Sequence, residues 1–517
     1  MARIGKNVLE SLTRSMYADS KCVYREYIQN SADQIDEAKR MHPEFDYNVY
    51  VTIESQKRTI IIEDNATGVK TSEIKDLLVD VARSTKERGV NKGFRGIGRL
   101  GGLAYCKTLI FETSYFEENV FSKVTWNAVQ LNNILDDETD DRDASEVIDA
   151  ITTINSEKDN SIRDKHFFRV IMQDVTDDKL LNEKEIRDYL SMVSPVDYSN
   201  HFLYRTKIYE FMYEHNLHLD CYNIFVGDCQ IFKNYSMTIY GPDNKEDDKV
   251  TGIEFWYENN SKGEPMYWGW YSISGLKGIM PKTNIARNIR LRCENIQLGD
   301  ETACFQFMTS GDKARFVRYF FGEIHVLPTS KLIPNSQRDY LREDVALKEF
   351  EHSVESNFLK LEKLCYGASE ARKNDKTIQK STEKAENIVQ KMKKGFTSQE
   401  EQKKAQDDLK KALEEKDKAI NSLSKLKKNW EESNSPLVQL FSPIGIQEPE
   451  KIIVEEQVES SEPINTPQLR TDNPKYDKFQ EEEIQLILTV YKVIEKTLNN
   501  EKEREALIDK IEAEITK

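Results

Sequence analysis

The sequence has 517 residues, with 74 Lys or Arg against 90 Asp or Glu, and a formal net charge of -16. This acidic balance excludes a generally basic nucleic-acid coat protein, but it leaves room for a local basic patch. The length is typical of two or three domains. No stretch approaches the ~18 uninterrupted apolar residues of a membrane span, and the first residues lack the apolar segment of a secretory signal. The seven cysteines form no CxxC pair, so we expect a cytoplasmic protein without a disulfide framework, and no association with a membrane.

The spacing of apolar residues and prolines divides the chain into segments. Helical and strand patterns alternate over residues 7–210, and strand-like runs continue to about residue 345. Two helical apolar stripes then flank Gly395, which predicts an antiparallel helix pair. Six of the 13 prolines fall between Pro436 and Pro474, which is typical of a flexible linker. The predicted segments are an α/β domain (1–215), an α+β domain (216–345), a helical hairpin or coiled coil (346–432), a linker (433–476) and C-terminal helices (477–517).

Two stretches stand out by their charge. Residues 120–165 are mostly polar and acidic, which predicts an exposed insertion. A basic cluster follows later in the chain, and either a phosphate-binding face or a solvated surface explains it. Its members are Lys282, Arg287, Arg290, Arg292, Arg315 and Arg318.

Three polar residues share one face of a predicted helix near the N-terminus. Glu26, Asn30 and Asp33 are spaced i, i+4 and i+7, so their side chains project from the same side. A carboxylate can orient and deprotonate a water molecule, and an amide oxygen is a hard ligand for Mg²⁺. The pattern favours a hydrolytic nucleotide site, although a solvated polar face has the same spacing.

A second motif, Asp64-Asn65-Ala66-Thr67-Gly68, directly follows a predicted buried strand at residues 59–63. The carboxylate can accept a hydrogen bond from a purine amino group, and the small residues let the backbone come close to the ring. A plain strand–turn–helix connection is the alternative.

A third motif is rich in glycine, because six of the 21 glycines lie between Gly89 and Gly102. Within it, Gly93–Gly98 has the pattern GxxGxG, with Ser84-Thr85-Lys86 upstream, and its backbone N–H groups can surround phosphate oxygens. It is not a Walker A loop, because no Gly-Lys-Ser/Thr follows. It is not a Rossmann turn either, because the glycines do not close a first βα unit.

In this order and at these separations, the three motifs resemble those of the GHKL ATPase superfamily. That superfamily includes gyrase B subunits, the ninety-kilodalton heat-shock chaperones, MutL-type repair proteins and histidine kinases. The opening helices are most similar to the heat-shock chaperone branch, through Leu9–Leu12, Met16–Lys21 and Arg25-Glu26. The resemblance implies an α+β protein with a GHKL (Bergerat) α/β-sandwich ATPase domain, an α+β transducer domain and a helical C-terminal region.

The resemblance also implies roles for individual residues and two cofactors, ATP and Mg²⁺. Glu26 would be the general base, Asn30 the Mg²⁺ ligand and Asp64 the carboxylate that reads adenine. Asp33 would help to build the pocket, and Gly68 would let the backbone approach adenine. Phosphate binding would fall to the glycine-rich lid and its flanks, namely Lys86, Gly93, Arg95, Gly96 and Gly98.

Two departures from the family pattern lie around the adenine site. Ala66 stands where the family usually has the first glycine of DxGxG. The strand that usually offers a Gly-Thr pair to adenine is expected at His166–Ile171, which has no threonine. A third implied residue lies far along the chain. Arg338, in Pro334–Asp339, resembles the transducer cation that reaches the γ-phosphate, and an exposed ion pair with Asp339 is the alternative.

The resemblance implies an ATP-hydrolysing dimeric clamp. A histidine kinase is excluded, since no histidine lies in a helix ahead of Glu26. The clamp would close either on a protein client, as heat-shock chaperones do, or on DNA, as MutL or MORC proteins do. The acidic net charge favours the protein client, and the basic cluster keeps DNA as the alternative. A third alternative is an ATPase switch subunit of a bacterial defence assembly, whose helical tail recruits an effector.

Overall fold

The computed structural model describes residues 4–13, 19–81, 98–162, 165–241, 243, 245–306, 308, 311–441 and 469–517. The chain forms two compact units, which meet in sequence between Lys363 and Leu364. As the sequence predicted, the protein is of the α+β class with a helical C-terminal region.

An eight-stranded sheet forms the first half of the N-terminal unit, and its strand order is β5-β4-β3-β6-β2-β1-β7-β8. Neighbouring strands are antiparallel except for β1 and β7. The strands are β1 (Asn48–Glu54), β2 (Thr59–Asp64), β3 (Thr108–Ser114), β4 (Val120–Asn127), β5 (Thr152–Lys158), β6 (Phe167–Gln173), β7 (Asn223–Val226) and β8 (Cys229–Gln230). The helices of this part of the chain are α1 (Asn7–Leu12), α2 (Cys22–Met41), α3 (Ile74–Leu78), α4 (Ala128–Asp136), α5 (Ala144–Ile151), α6 (Glu183–Val193) and α7 (Arg205–Glu214).

Residues of alternating burial join this sheet to its helices. Val49 and Val51 in β1, and Ile60 and Ile62 in β2, are buried, while their neighbours along the strand are less so. This period of two is what a strand with one covered face requires. Helix α2 packs against β2, so the end of β2 and one face of α2 lie in the same region of the domain.

The expectation of an exposed insertion at residues 120–165 is wrong. This segment supplies β4 and β5 of the sheet, and α4 and α5 pack beside them. Val124, Trp126, Leu131 and Val147 are all buried in the core. The polar composition has a simple cause: β5 is an edge strand whose residues after Thr152 are exposed, so few of its side chains needed to be apolar.

A six-stranded sheet follows, in the order β13-β12-β14-β11-β10-β9. Its strands are β9 (Thr238–Tyr240), β10 (Glu246–Asn259), β11 (Pro265–Ser274), β12 (Asn288–Cys293), β13 (Ile296–Gln297) and β14 (Phe321–Val326), and α8 (Gly311–Val317) precedes β14. Ile208 and Met212 of α7 share a core with Trp268 and Trp270 of β11. Helix α7 therefore covers the second sheet, whereas β7 and β8, which come after the predicted boundary at residue 215, belong to the first.

The expected basic cluster is not a free surface patch, because three of its arginines are bonded inside the fold. Arg287 Nη2 lies 2.7 Å from Glu301 Oε1. Arg290 is buried and donates to Gln297 Oε1 at 2.6 Å. Arg292 is fully buried. The sequence shows no acidic residue between Lys282 and Arg292, but the partners come from farther along the chain.

Arg292 belongs to a buried group of polar side chains around Glu323 of β14, which we call the Glu323 cluster. Arg292 Nε lies 2.6 Å from Glu323 Oε1, and Lys233 Nζ lies 2.9 Å from Oε2. Tyr198, Tyr235 and His325 also bond the same carboxylate. Arg292 further donates to the Met192 carbonyl of α6. A buried carboxylate needs such partners. Through Arg292 they also connect the end of α6, a helix of the first sheet's domain, to the second sheet.

The second unit is helical. Its elements are the remainder of α9 (Val345–Lys394), α10 (Gln399–Glu432), α11 (Leu437–Phe441), α12 (Glu481–Thr497) and α13 (Glu501–Ile515). The predicted antiparallel pair is confirmed, since Asn374 of α9 donates to Ser422 Oγ of α10 at 3.0 Å, and Gly395 between them has φ +85°. Most of the predicted linker, residues 442–468, lies outside the described residues. Among the helices that the structure describes, none has the length and apolar character to cross a bilayer.

The Glu323 cluster predicts a loss of stability in mild acid. His325 is buried between the Trp268 ring and Glu323, and burial lowers its pKa from 6.5 to about 4. Below pH 6.5 the unfolded chain therefore binds a proton that the folded chain does not, so folding weakens as pH falls towards 4. We expect about 2 kcal/mol of unfolding free energy to be lost between pH 6.5 and 5, measured by urea denaturation.

The variant His325→Gln isolates this effect, because every other titrating group is common to both proteins. Its stability should change less than the wild type's over the same pH interval. Equal slopes for the two proteins would contradict the assignment to His325. The Glu323 carboxylate does not affect this comparison. Its pKa is well below 4.5, so its contribution to the free energy of unfolding is lost only at lower pH.

Candidate active site

The first predicted motif lies on α2, a helix that is buried along most of its length. Glu26 and Asp33 are buried, and Asn30 is half-buried. The Arg25 guanidinium is also buried, and its Nη2 lies 3.4 Å from Glu26 Oε1. A solvated polar face, which was the alternative, does not describe these residues. The polar side of α2 is therefore largely shielded from solvent.

The end of the glycine-rich motif packs directly on α2. Residues Gly98–Ala104 form a short 3-10 helix. A Cβ added to Gly98 would come within 2.6 Å of Glu26 Oε2, and one added to Gly102 within 2.4 Å of the Tyr27 hydroxyl. That hydroxyl accepts from the Gly102 N–H at 3.1 Å and donates to the Arg99 carbonyl at 3.0 Å. A side chain at position 102 would therefore collide with the buried Tyr27 ring, and one at position 98 would displace the Glu26 carboxylate.

Four of the predicted phosphate-binding residues cannot be placed. Lys86, Gly93, Arg95 and Gly96 lie outside the described residues, in the interval 82–97. Gly98, the first described residue after that interval, lies beside Glu26.

The second motif begins at the last residue of β2, as predicted. Asp64 is fully buried, and its Oδ1 accepts from the Ala66 N–H at 3.2 Å. Asn65 fixes the turn to the start of β1, because its Oδ1 accepts from the Asn48 N–H at 2.7 Å. Ala66 is completely buried as well. The turn is thus fixed by one hydrogen bond to the Asp64 carboxylate and by another to the start of β1.

Gly68 is required by the protein's own backbone. Its φ is +70°, and a Cβ there would lie 2.0 Å from the Ser114 carbonyl oxygen. The strand next to β2 is β6, in which Phe168 is paired with Asp64. This confirms the expected position of the strand at 166–171 and places an aromatic residue, not a threonine, beside the aspartate.

The predicted cation from the second domain also reaches α2. Arg338 Nη1 donates to Gln29 Oε1, and Arg25 Nη2 donates to the Gln337 carbonyl at 3.3 Å. The structure therefore brings Arg338 to the helix that carries Glu26 and Asn30. Asp339 is exposed and accepts from the Asn335 amide. Sequence reasoning missed Gln29 and Tyr27. The helical spacing of Arg25 and Gln29 was visible, but nothing in the sequence linked either residue to 337–338.

A cleft of about 730 Å³ is lined in part by Arg25. Lys21, Glu185, Arg287, Glu301 and Gln337 are among its lining residues, whereas Glu26, Asn30 and Asp64 are not. The cleft therefore shares Arg25 and Gln337 with the arrangement described above, but Glu26, Asn30 and Asp64 do not line it. Among the described residues, no three His, Cys, Asp or Glu side chains form a group that would hold a metal ion by themselves.

The chain was compared with known proteins and protein families. Residues 18–159 match the family described as "Histidine kinase-, DNA gyrase B-, and HSP90-like ATPase". The chain is also similar to "Chaperone protein HtpG" of Rhodococcus jostii (strain RHA1), with 28% identity over 87 residues. That similarity covers 15% of this chain and only 14% of the chaperone's length.

The family match includes α2, Asp64, Gly68 and the Gly98–Ala104 helix. The chaperone similarity supports the heat-shock branch that the opening helices suggested. Residues 18–159 are therefore similar to the histidine kinase-, DNA gyrase B- and HSP90-like ATPase family.

Proposed function

We propose that the chain binds ATP with Mg²⁺, hydrolyses it to ADP and phosphate, and uses this cycle to close a dimeric clamp on a protein client. The observation that carries the proposal is the enclosed carboxylate of Glu26, with the Gly98 backbone against it. This carboxylate lies in the segment that matches an ATPase family. A buried carboxylate can orient and deprotonate a water molecule. A glycine backbone beside it lets the phosphate that the water attacks come close.

In the proposed reaction, Glu26 orients a water molecule and accepts its proton as the water oxygen bonds to the γ-phosphorus. The bond from that phosphorus to the β–γ bridging oxygen breaks, and ADP keeps the electron pair. Such reactions depend mainly on position and on charge stabilisation. Arg25 keeps a positive charge next to the carboxylate, and Arg338 would meet the charge that develops on the γ-phosphate.

The residues present fit Mg²⁺ held mainly by the nucleotide. Mg²⁺ usually keeps several water molecules and takes few protein ligands besides the substrate phosphates. Asn30 offers one amide oxygen, one helical turn beyond Glu26 and on a half-buried position. When bound, Mg²⁺ would neutralise phosphate charge.

The base of the nucleotide would be read at the end of β2. Asp64 is buried there with its Oδ1 engaged by the Ala66 N–H, an arrangement that keeps the carboxylate in a fixed orientation towards a purine amino group. Asp33 and Gly68 would contribute to the same pocket. The remaining phosphate contacts, from Lys86, Gly93, Arg95 and Gly96, are part of the proposal on the strength of the resemblance.

A protein client is favoured over DNA as the object of the clamp. The net charge of -16 opposes attraction to phosphate backbones. The arginines that a DNA clamp would have used at 287, 290 and 292 are bonded to Glu301, Gln297 and Glu323. The weak similarity to a chaperone points the same way.

The catalytic proposal predicts different defects for two carboxylates. Glu26→Ala should retain ATP binding but lose about 10²–10⁴-fold in turnover, because a general base has been removed. Asp64→Asn should weaken binding itself, because one acceptor oxygen becomes a donor that faces the purine amino group. Steady-state hydrolysis and calorimetric titration of ATP separate the two effects. Wild-type turnover in Glu26→Ala would contradict the assignment of the base.

The contact between Gly98 and Glu26 gives a second prediction. Gly98→Ala places a methyl group where the Glu26 carboxylate now lies, so we expect turnover to fall about tenfold or more as the carboxylate is displaced. Gly278→Ala is the matched control, because no atom lies within 4 Å of the Cβ it adds. Equal hydrolysis rates in the two variants would show that this contact does not position the carboxylate.

Dimerisation should depend on nucleotide. A non-hydrolysable ATP analogue should raise the sedimentation coefficient of the wild type by driving closure of the clamp. The same analogue should leave Asp64→Asn unchanged at concentrations that this variant does not bind. A wild-type sedimentation coefficient that is identical with and without the analogue would exclude ATP-driven assembly.

A further inference from the structure

The segment that carries Arg338 is a small hairpin whose tip rests on α2. Pro334 and Leu341 pair as an antiparallel bridge, and the Asn335 N–H donates to the Tyr340 carbonyl at 2.9 Å. The Gly299 N–H donates to the Arg338 carbonyl, also at 2.9 Å. The backbone of the hairpin is thus anchored in the second domain, and Arg338 stands at its tip.

Two residues one helical turn apart on α2 receive this tip. Arg25 donates to the carbonyl of Gln337, and Gln29 accepts from the guanidinium of Arg338. Residues i and i+4 of a helix lie on the same side, so consecutive hairpin residues contact a single stripe of α2. Gln29 is 2% exposed, and its amide oxygen is therefore set in place by the surrounding protein.

Arg338 itself adopts an unusual backbone conformation. Its φ is +54°, a region that residues with a Cβ seldom occupy unless their surroundings hold them there. The contact with Gln29 is one of the interactions that hold it. Such conformations are concentrated at functional sites, which argues that the position of this guanidinium matters.

We propose that Gln29 is a positioning residue, which holds the Arg338 guanidinium beside the face of α2 that carries Glu26 and Asn30, so that it meets the terminal phosphate of ATP. The inference rests on the proposed function and deepens it, because it explains how the cation is held on α2. Gln29 acts on the reaction only through Arg338.

The chemistry of the amide suits this task better than a carboxylate would. A guanidinium has five N–H donors in a fixed plane, and one good acceptor fixes that plane without using the others. A neutral amide oxygen orients the group without adding a negative charge of its own. A carboxylate at position 29 would orient it too, but would form an ion pair that competes with phosphate.

The test compares variants of residue 29 in the full-length protein. Gln29→Met has nearly the same volume but no hydrogen-bond acceptor, and it should lower kcat about 10- to 100-fold. Affinity for ATP should stay within about twofold, since ground-state binding relies on contacts elsewhere. Gln29→Glu restores an acceptor and should recover part of the lost kcat. In an Arg338→Ala background, Gln29→Met should have no further effect, because the two residues act as one unit.

Asn357→Leu is the control for a lost buried amide. Asn357 is as buried as Gln29, but its amide donates to Glu258 and to the Tyr267 hydroxyl, away from α2. It should lower the melting temperature without changing kcat. If Gln29→Met slowed turnover only as much as Asn357→Leu, the role of Gln29 would be structural and the inference overturned.

The remaining outcomes separate this inference from the proposed function. A wild type that does not hydrolyse ATP, or an Arg338→Ala variant that hydrolyses it at the wild-type rate, overturns the proposed role of Arg338 and this inference with it. A slow Arg338→Ala together with an unimpaired Gln29→Met overturns this inference alone. Faster turnover in Gln29→Met would mean that the contact restrains Arg338 in an unproductive position, which also contradicts the proposal.

Discussion

The burial of polar groups on α2 is the constraint on which the candidate site depends. Twelve of the 20 residues of this helix are buried, and Arg25, Glu26, Gln29 and Asp33 are among them. Buried polar groups are costly unless they are bonded, so the surroundings of α2 had to supply partners. The 98–104 helix and the 337–338 hairpin tip meet this requirement from two sides. The contacts that give the buried polar groups of α2 their partners also bring the proposed catalytic groups together.

Two different connections join the first sheet's domain to the second. At the Glu323 cluster, fully buried charges bridge Lys233 and the end of α6 to the second sheet. Separating them would leave a charge uncompensated in the interior, which costs several kcal/mol. The hairpin tip instead meets α2 through hydrogen bonds between the buried Arg25 and Gln29 and the less buried Gln337 and Arg338. The hydrogen bonds at the tip therefore cost less to break than the buried charge contacts of the cluster.

The sequence was most informative about site residues whose positions follow from a local pattern. Glu26 and Asp64 were predicted because helical spacing and a strand end are local patterns, and both were found in buried positions. Gln29 and Arg338 are separated by 309 positions, and no local pattern connects them. The internal partners of Arg287, Arg290 and Arg292 were missed for the same reason. These arginines appear unopposed between 282 and 292, while Glu323 and Glu301 lie beyond that window. Edge strand β5 was mistaken for an insertion, because an exposed strand needs little apolar sequence.

The internally bonded arginines also bear on what the proposed clamp would hold. A cation that recognises a phosphate backbone must exchange water and counterions for that contact, and binding then weakens steeply with salt. Arg292 has no access to solvent, and Arg290 is almost as buried. Recruiting either for DNA would first require their bonds to Glu323 and Gln297 to break, at the cost of leaving polar groups unpaired. These arginines are engaged internally, so they add little to the attraction of a phosphate backbone, and the net charge of -16 opposes that attraction.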